Sequence, residues 1–255
     1  MYCNQCGAQN SDNARFCFKC GSPISHPEPN IPQSQNAPAT NLDYILVPMR
    51  KMFIDAAVAY EKKGGETPFD FVQDQLFIGI ASDPSVWKNV KNEQIDLLVR
   101  PHLFSSAEQQ TLSDEPVAIL TYFDMIRAVG LSVEVPNLAI GALETKMLLS
   151  LKQMQGLAEE KNWKAYETWA SELVEQAREV GSPHLLAIAL WKATTAKFAK
   201  KDKLTCRTLL DELDSVIATA LRKQPTYSTI EGGEVDINSL VKAAQRDSVA
   251  MRKAL

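Results

Sequence analysis

Four of the five cysteines lie within the first twenty-one residues, as Cys3-x-x-Cys6 and Cys17-x-x-Cys20, with ten residues between the pairs. Thiolates are soft ligands, and zinc takes four such donors in a tetrahedron that leaves a structural site closed. Each pair can present two sulfurs to one side of an ion. Gly7 and Gly21 follow the second cysteine of each pair, a position that commonly needs positive φ. The doubled Cys-x-x-Cys-Gly pattern therefore predicts one structural Zn2+ held by Cys3, Cys6, Cys17 and Cys20. Two disulfides would need an oxidising compartment, whereas a ligand at the third residue leaves no room for a signal peptide. A redox pair would follow a strand in a βαβ pattern, which the sequence lacks. Cys206 falls in a helical pattern and is expected to be a small buried or half-buried side chain.

The other residues that could do chemistry do not converge. His26 lies in a proline-rich stretch, and His102 and His184 stand alone. There is no His-Glu-x-x-His, no Gly-x-Ser-x-Gly, no phosphate loop and no dinucleotide fingerprint. Asp70 and Asp74 share one face of an expected helix. Paired carboxylates can work as acid and base or bind metal, but a solvated helix face is the favoured reading. No catalytic residue is assigned, and a non-enzymatic protein is expected.

Residues 1–21, with their Phe16-Cys17 and Cys20-Gly21 context, resemble the short N-terminal zinc ribbons of many bacterial and archaeal proteins. The resemblance implies rubredoxin-like knuckles on short β-hairpins, with the zinc purely structural. Such ribbons are joined to very different domains, so the resemblance does not define a function.

The elements that carry this unit follow from composition. Five of the thirteen prolines fall in residues 22–41, with no lysine or arginine. Proline fixes φ and removes a donor, so neither helix nor sheet can run through such a stretch. Residues 22–41 are read as a flexible linker of partly polyproline II character. Residues 42–255 are read as an all-α domain. The chain is 45% hydrophobic, enough for a real core, and its net charge of −4 falls wholly on this second part. No apolar run approaches the roughly 20 residues of a membrane span; Val117 to Leu131 is interrupted by Asp124 and Arg127. A soluble, cytoplasmic protein is expected.

Periodic apolar positions predict helices over 42–62, with Pro48 inside its first turns, and over 67–80, capped by Thr67. Shorter pieces are expected around 85–99 and 105–112, then a helix over 116–130 closed by Gly130. Residues 131–135 read as extended. Four longer helices follow over about 138–160, 163–180, 183–200 and 203–222, then a loop around Gly232-Gly233 and a last helix from about Asp236. At an offset of forty, Lys161 pairs with Lys201, Asn162 with Asp202, Thr168 with Thr208, Glu172 with Glu212 and Leu173 with Leu213. That matching suggests a two-helix repeat. Residues 138–222, above all Glu175 to Ala193, resemble tetratricopeptide-like helical repeats in a longer-helix form; a plain helical bundle is the alternative.

The fold class is thus mainly α, a small zinc ribbon joined to a helical bundle or repeat body. The expected function is a protein-interaction or adaptor module for a protein or peptide partner, with Trp163, Tyr166 and Trp169 as candidate anchors; the competing reading is that they are core, favoured for Trp169 by its match to Leu209. The alternative is a nucleic-acid-associated or transcription-related factor acting through the ribbon. It is not favoured, because the ribbon has no basic footprint.

Overall fold

The computed structural model describes residues 43–63, 87, 89–225, 227 and 236–255. The chain divides into two units, Met1–Thr40 and Asn41–Leu255, and every described residue belongs to the second. Among the described residues there are nine α-helices and no strand. The expected ribbon, the linker and the helix over 67–80 lie outside the described residues.

Helix α1 spans Asp43–Lys62. It runs through Pro48, which sits on the exposed face, where the carbonyl it leaves unbonded can be hydrated. Its inner face buries Leu46, Met49, Phe53, Ile54 and Ala57. Helix α2 (Asn92–Val99) leads into a 3-10 turn (Pro101–Leu103) and α3 (Ser106–Asp114). Ser105 and Glu108 form a capping box that starts α3: Glu108 N–H donates to Ser105 Oγ at 3.3 Å, and Ser105 N–H donates to Glu108 Oε2 at 2.7 Å.

Helices α4 (Pro116–Ser132) and α5 (Pro136–Glu159) form the most extensive helix pair. They cross closely at Gly130, where an added Cβ would lie 2.5 Å from the backbone nitrogen of Ala139. Only glycine allows that approach. Residues 138–147 of α5 are buried without a break, which marks a helix enclosed on all sides. Helix α1 packs on α4, and α2 packs on α5 and α1.

The C-terminus of α2 is buried, and its last carbonyls have no intrahelical donor. Side chains from three other helices meet them. Arg50 of α1 donates to the Leu97 carbonyl at 2.8 Å, Tyr122 of α4 to that of Leu98 at 2.6 Å, and Thr145 of α5 to that of Val99 at 2.8 Å. Arg50 also makes a two-pronged bond to Glu108 at 3.0 and 2.8 Å, tying α1 to the cap of α3. Burial pushes the Glu108 carboxyl up, but the bonds from Arg50 and Ser105 outweigh it and hold the group below its ordinary range.

Helices α6 (Trp163–Val180), α7 (Pro183–Ala199), α8 (Lys203–Ala220) and α9 (Ile237–Ala254) complete the domain. Helix α7 packs against α6, α8 and α9. Its run Leu185–Leu190 is almost wholly buried. Ser182 caps it ahead of Pro183, and Asn162, Asp202 and Asp236 cap α6, α8 and α9.

The two turns forty residues apart are built alike. Lys161 N–H donates to the Ala158 carbonyl and Asn162 N–H to that of Leu157; Lys201 donates to Phe198 and Asp202 to Lys197 in the same pattern. This is the Schellman closure, with a left-handed residue after the helix. Lys161 (φ 58°) and Lys201 (φ 61°) fill that position. The following Asn162 and Asp202 accept from the backbones of Ala165 and Thr205, so each also opens the next helix. The α4–α5 turn closes in the same way, with Val135 N–H on the Gly130 carbonyl and Glu134 at φ 55°. The expectation of extended backbone over 131–135 is therefore corrected: α4 continues through Ser132, and the hydrogen-bonded turn absorbs the rest.

Candidate functional site

A groove of about 680 Å3 opens where the 3-10 turn, α3, α4 and α5 meet. Leu112, Ile119 and Leu149 form its apolar floor, with Pro101 and Pro116 at its ends. Pro101 and Pro116 also open the 3-10 turn and α4, so the groove follows the boundaries between elements. Its rim carries His102, Gln109, Ser113, Lys152 and Gln153. Gln109 donates to the Phe104 carbonyl at 2.7 Å and fixes the step from the turn into α3. The Arg50–Glu108 pair holds α3 from beneath. His102 and Lys152 are exposed, while Ile119 and Leu149 are half-buried. Among the described residues the lining includes one lysine, one histidine and no carboxylate. Such a surface can receive an extended or helical peptide that brings an apolar side chain and a negative charge.

The residues singled out in the sequence are scattered. His102 alone reaches the groove. His184 is buried, and its Nε2–H donates to the Lys223 carbonyl at 3.1 Å, tying the start of α7 to the end of α8. Burial pushes its pKa below the ordinary histidine value. Tyr166 is a core residue, not an exposed anchor; its burial pushes the hydroxyl up to about 12. Trp163 is half-buried against the Tyr166 ring, with centroids 5.5 Å apart. Trp169 is half-buried and lines a second, smaller cavity. Cys206 is buried, with its sulfur 3.9 Å from the Thr194 carbonyl. Sequence reasoning missed Leu149 and Lys152: both fit an ordinary helix face, and only the packing of α3 and α4 beside them makes a groove.

Cys3, Cys6, Cys17 and Cys20, with His26, Asp70 and Asp74, lie outside the described residues. Residues 2–24 match the family model of the zinc-ribbon domain, and all four cysteines fall within the match. The chain therefore joins a zinc-ribbon domain to a helical body, and the family implies zinc binding. The donor set fits, since four thiolates are the ligands a closed zinc site uses. Comparison with curated proteins and with solved structures gave no significant match. No helix among the described residues is long and apolar enough to cross a membrane.

Proposed function

We propose that this protein is a non-enzymatic, cytoplasmic adaptor: a zinc ribbon tethered to a helical body that captures a short peptide of a partner protein. The groove between the 3-10 turn, α3, α4 and α5 is the observation that carries this reading. An apolar floor under an open, polar rim is how helical surfaces take up peptide segments. Its apolar floor and the net charge of −4 weigh against nucleic acid, and Lys152 on the rim favours a peptide that carries an acidic side chain. The recurring turn before α6 and α8 supports reading α5–α8 as two tetratricopeptide-like hairpins.

One zinc ion per chain, held by Cys3, Cys6, Cys17 and Cys20, keeps the ribbon folded. Metal analysis of the purified protein should find it, and serine at any of these four positions should lose it, whereas Cys206→Ser should not. Full zinc content without Cys17 would sink the four-cysteine site.

The groove is tested by selecting peptides from a displayed random library against the full-length protein. Acidic sequences with one or two large apolar residues should be enriched. Leu149→Arg should weaken their binding at least ten-fold with the helical circular dichroism unchanged, and Lys152→Glu several-fold. Selected peptides that bind the Leu149→Arg variant as well as the native protein would remove the groove from the account.

A further inference from the structure

The second cavity lies between α4, α5 and α6 and measures about 200 Å3. That is the liquid volume of roughly six waters, enough for a small organic molecule. Val117, Leu120 and Leu173 give it apolar walls, and Trp169 adds an aromatic surface. Its polar lining is Thr121, Asp124, Lys146, Ser150 and Glu172, and the Thr121 hydroxyl donates to Glu61 Oε1 at 2.7 Å. The Lys146 side chain is only 6% exposed. Its ammonium is fully engaged, donating to Asp124 Oδ2 at 2.7 Å, Glu172 Oε1 at 2.6 Å and Gln176 Oε1 at 3.2 Å. Gln176 Nε2 donates in turn to Asp124 Oδ1 at 2.9 Å and to Glu172 Oε1 at 3.1 Å.

Two features of this lining remain open. The Ser150 hydroxyl is buried, with the residue 1% exposed, and has no hydrogen-bond partner. A buried hydroxyl without a partner is costly, and this one borders a cavity. Glu172 is 52% exposed on its side chain and sits at the mouth, and its second oxygen receives no donor from the described residues. The lining carries two carboxylates against one ammonium, and Arg127 Nε lies 3.7 Å from Asp124 Oδ1, so the second oxygen of Glu172 is the anionic acceptor left without a donor among the described residues. With the three lysine protons and the Thr121 hydroxyl committed, the lining offers an anion the Ser150 hydroxyl and the Trp169 indole N–H, but sets the open carboxylate oxygen of Glu172 beside them.

The offset of forty adds an independent comparison. Lys146 and Ser150 of α5 correspond to Leu186 and Leu190 of α7, and Trp169 of α6 to Leu209 of α8. The second hairpin has leucine where the first keeps a charge, a hydroxyl and an indole. A core needs none of these three.

We propose that this cavity binds a small alkylammonium compound. The ammonium would donate to the open oxygen of Glu172 and to Ser150 Oγ, with Trp169 beside it as a cation–π surface. The alkyl chain would lie on Leu120, Leu173 and Val117. The network around Lys146 holds both carboxylates in place, and the open oxygen of Glu172 repels an anionic ligand.

The test is a titration of the full-length, 15N-labelled protein with n-butylammonium chloride, sodium butyrate and 1-butanol at constant ionic strength. The Trp169 indole N–H is followed, assigned with Trp169→Phe. Butylammonium should give a saturable shift, 1-butanol one at least ten-fold weaker in affinity, and butyrate none. Ser150→Leu, which puts the residue of the second hairpin into the first, should abolish the saturable shift. Ser150→Ala removes only an unpartnered hydroxyl, so it should keep the native melting temperature while weakening butylammonium several-fold. Equal response to all three probes, no saturable response, or a response that survives Ser150→Leu would overturn the proposal.

Discussion

Helices α5 and α7 occupy comparable places, each enclosed by its neighbours, yet they are buried differently. Helix α5 takes Glu144, Thr145, Lys146 and Ser150 into the interior. Helix α7 buries His184 and Thr194 and is otherwise aliphatic along its enclosed length. Around α5 the elements are joined by side chains reaching across to backbone, as Arg50, Tyr122 and Thr145 do at the end of α2. Around α7 the His184 side chain reaches across to backbone, at Lys223, and the elements are otherwise joined mainly by repeated turns and by polar pairs near the surface, such as Arg178 with Glu212 at 2.7 Å and Arg252 with Asp211 at 2.7 Å. Both described cavities border α5. The difference teaches that the buried polar groups gather where the two cavities lie, and that the α7 region serves mainly as packing.

Removing Arg50 should break the comparison most sharply. Arg50→Met takes the guanidinium from the Glu108 carboxylate, 11% exposed, leaving it the bonds from Ser105 alone, and leaves the Leu97 carbonyl without its side-chain donor. Breaking such a buried pair costs about 3–5 kcal/mol, which urea denaturation would read directly. A loss below about 1 kcal/mol would show that the α1–α3 junction is held by apolar contact alone.

The repeated turn predicts a gain instead. A left-handed lysine carries a strain that glycine does not, so Lys161→Gly and Lys201→Gly should each stabilise by up to about 1 kcal/mol. Two similar gains would sharpen the equivalence of the hairpins, and opposite signs would break it.

The smallest effect is expected at His184. Its folded pKa lies below the ordinary value, burial being the first cause, although its bonds to the Lys223 and Ala220 carbonyls oppose the shift. The unfolded chain therefore binds the proton more readily. The stability linked to this residue is present above about pH 6.5 and is lost as pH falls through the folded value. His184→Gln should flatten the pH dependence of the urea midpoint between about pH 5 and 7, and an unchanged slope would assign that dependence elsewhere.

The helix boundaries from α6 onward were legible because each helix opens on a marked residue: Asn162, Ser182, Asp202 and Asp236 all accept from the first turn. The cysteine pattern was legible because ligand spacing is local, and the zinc-ribbon match covers it. The turn after α4 was misjudged because Val133 and Val135 suggest extended chain, while the bond from Val135 to Gly130 that decides the matter is invisible in composition. Tyr166 looked like an anchor because helical periodicity does not tell one enclosed face from two. Neither cavity could be read at all: Lys146 meets Asp124 and Glu172 from 22 and 26 residues away, and that meeting is a property of three helices together.

The dependence of α1 on α4 has a consequence for how the chain is made. Synthesis runs from the N-terminus at about 5–20 residues per second, and roughly sixty residues separate the end of α1 from the middle of α4. For several seconds Leu46, Met49 and Phe53 must wait without the helix they are buried against, and Arg50 without Glu108. Helix α7 waits with less exposed, since α6 precedes it and α8 follows within a few residues, and α9 alone comes later. The N-terminal edge of this domain is thus the part a chaperone or a protease would meet first in a nascent chain.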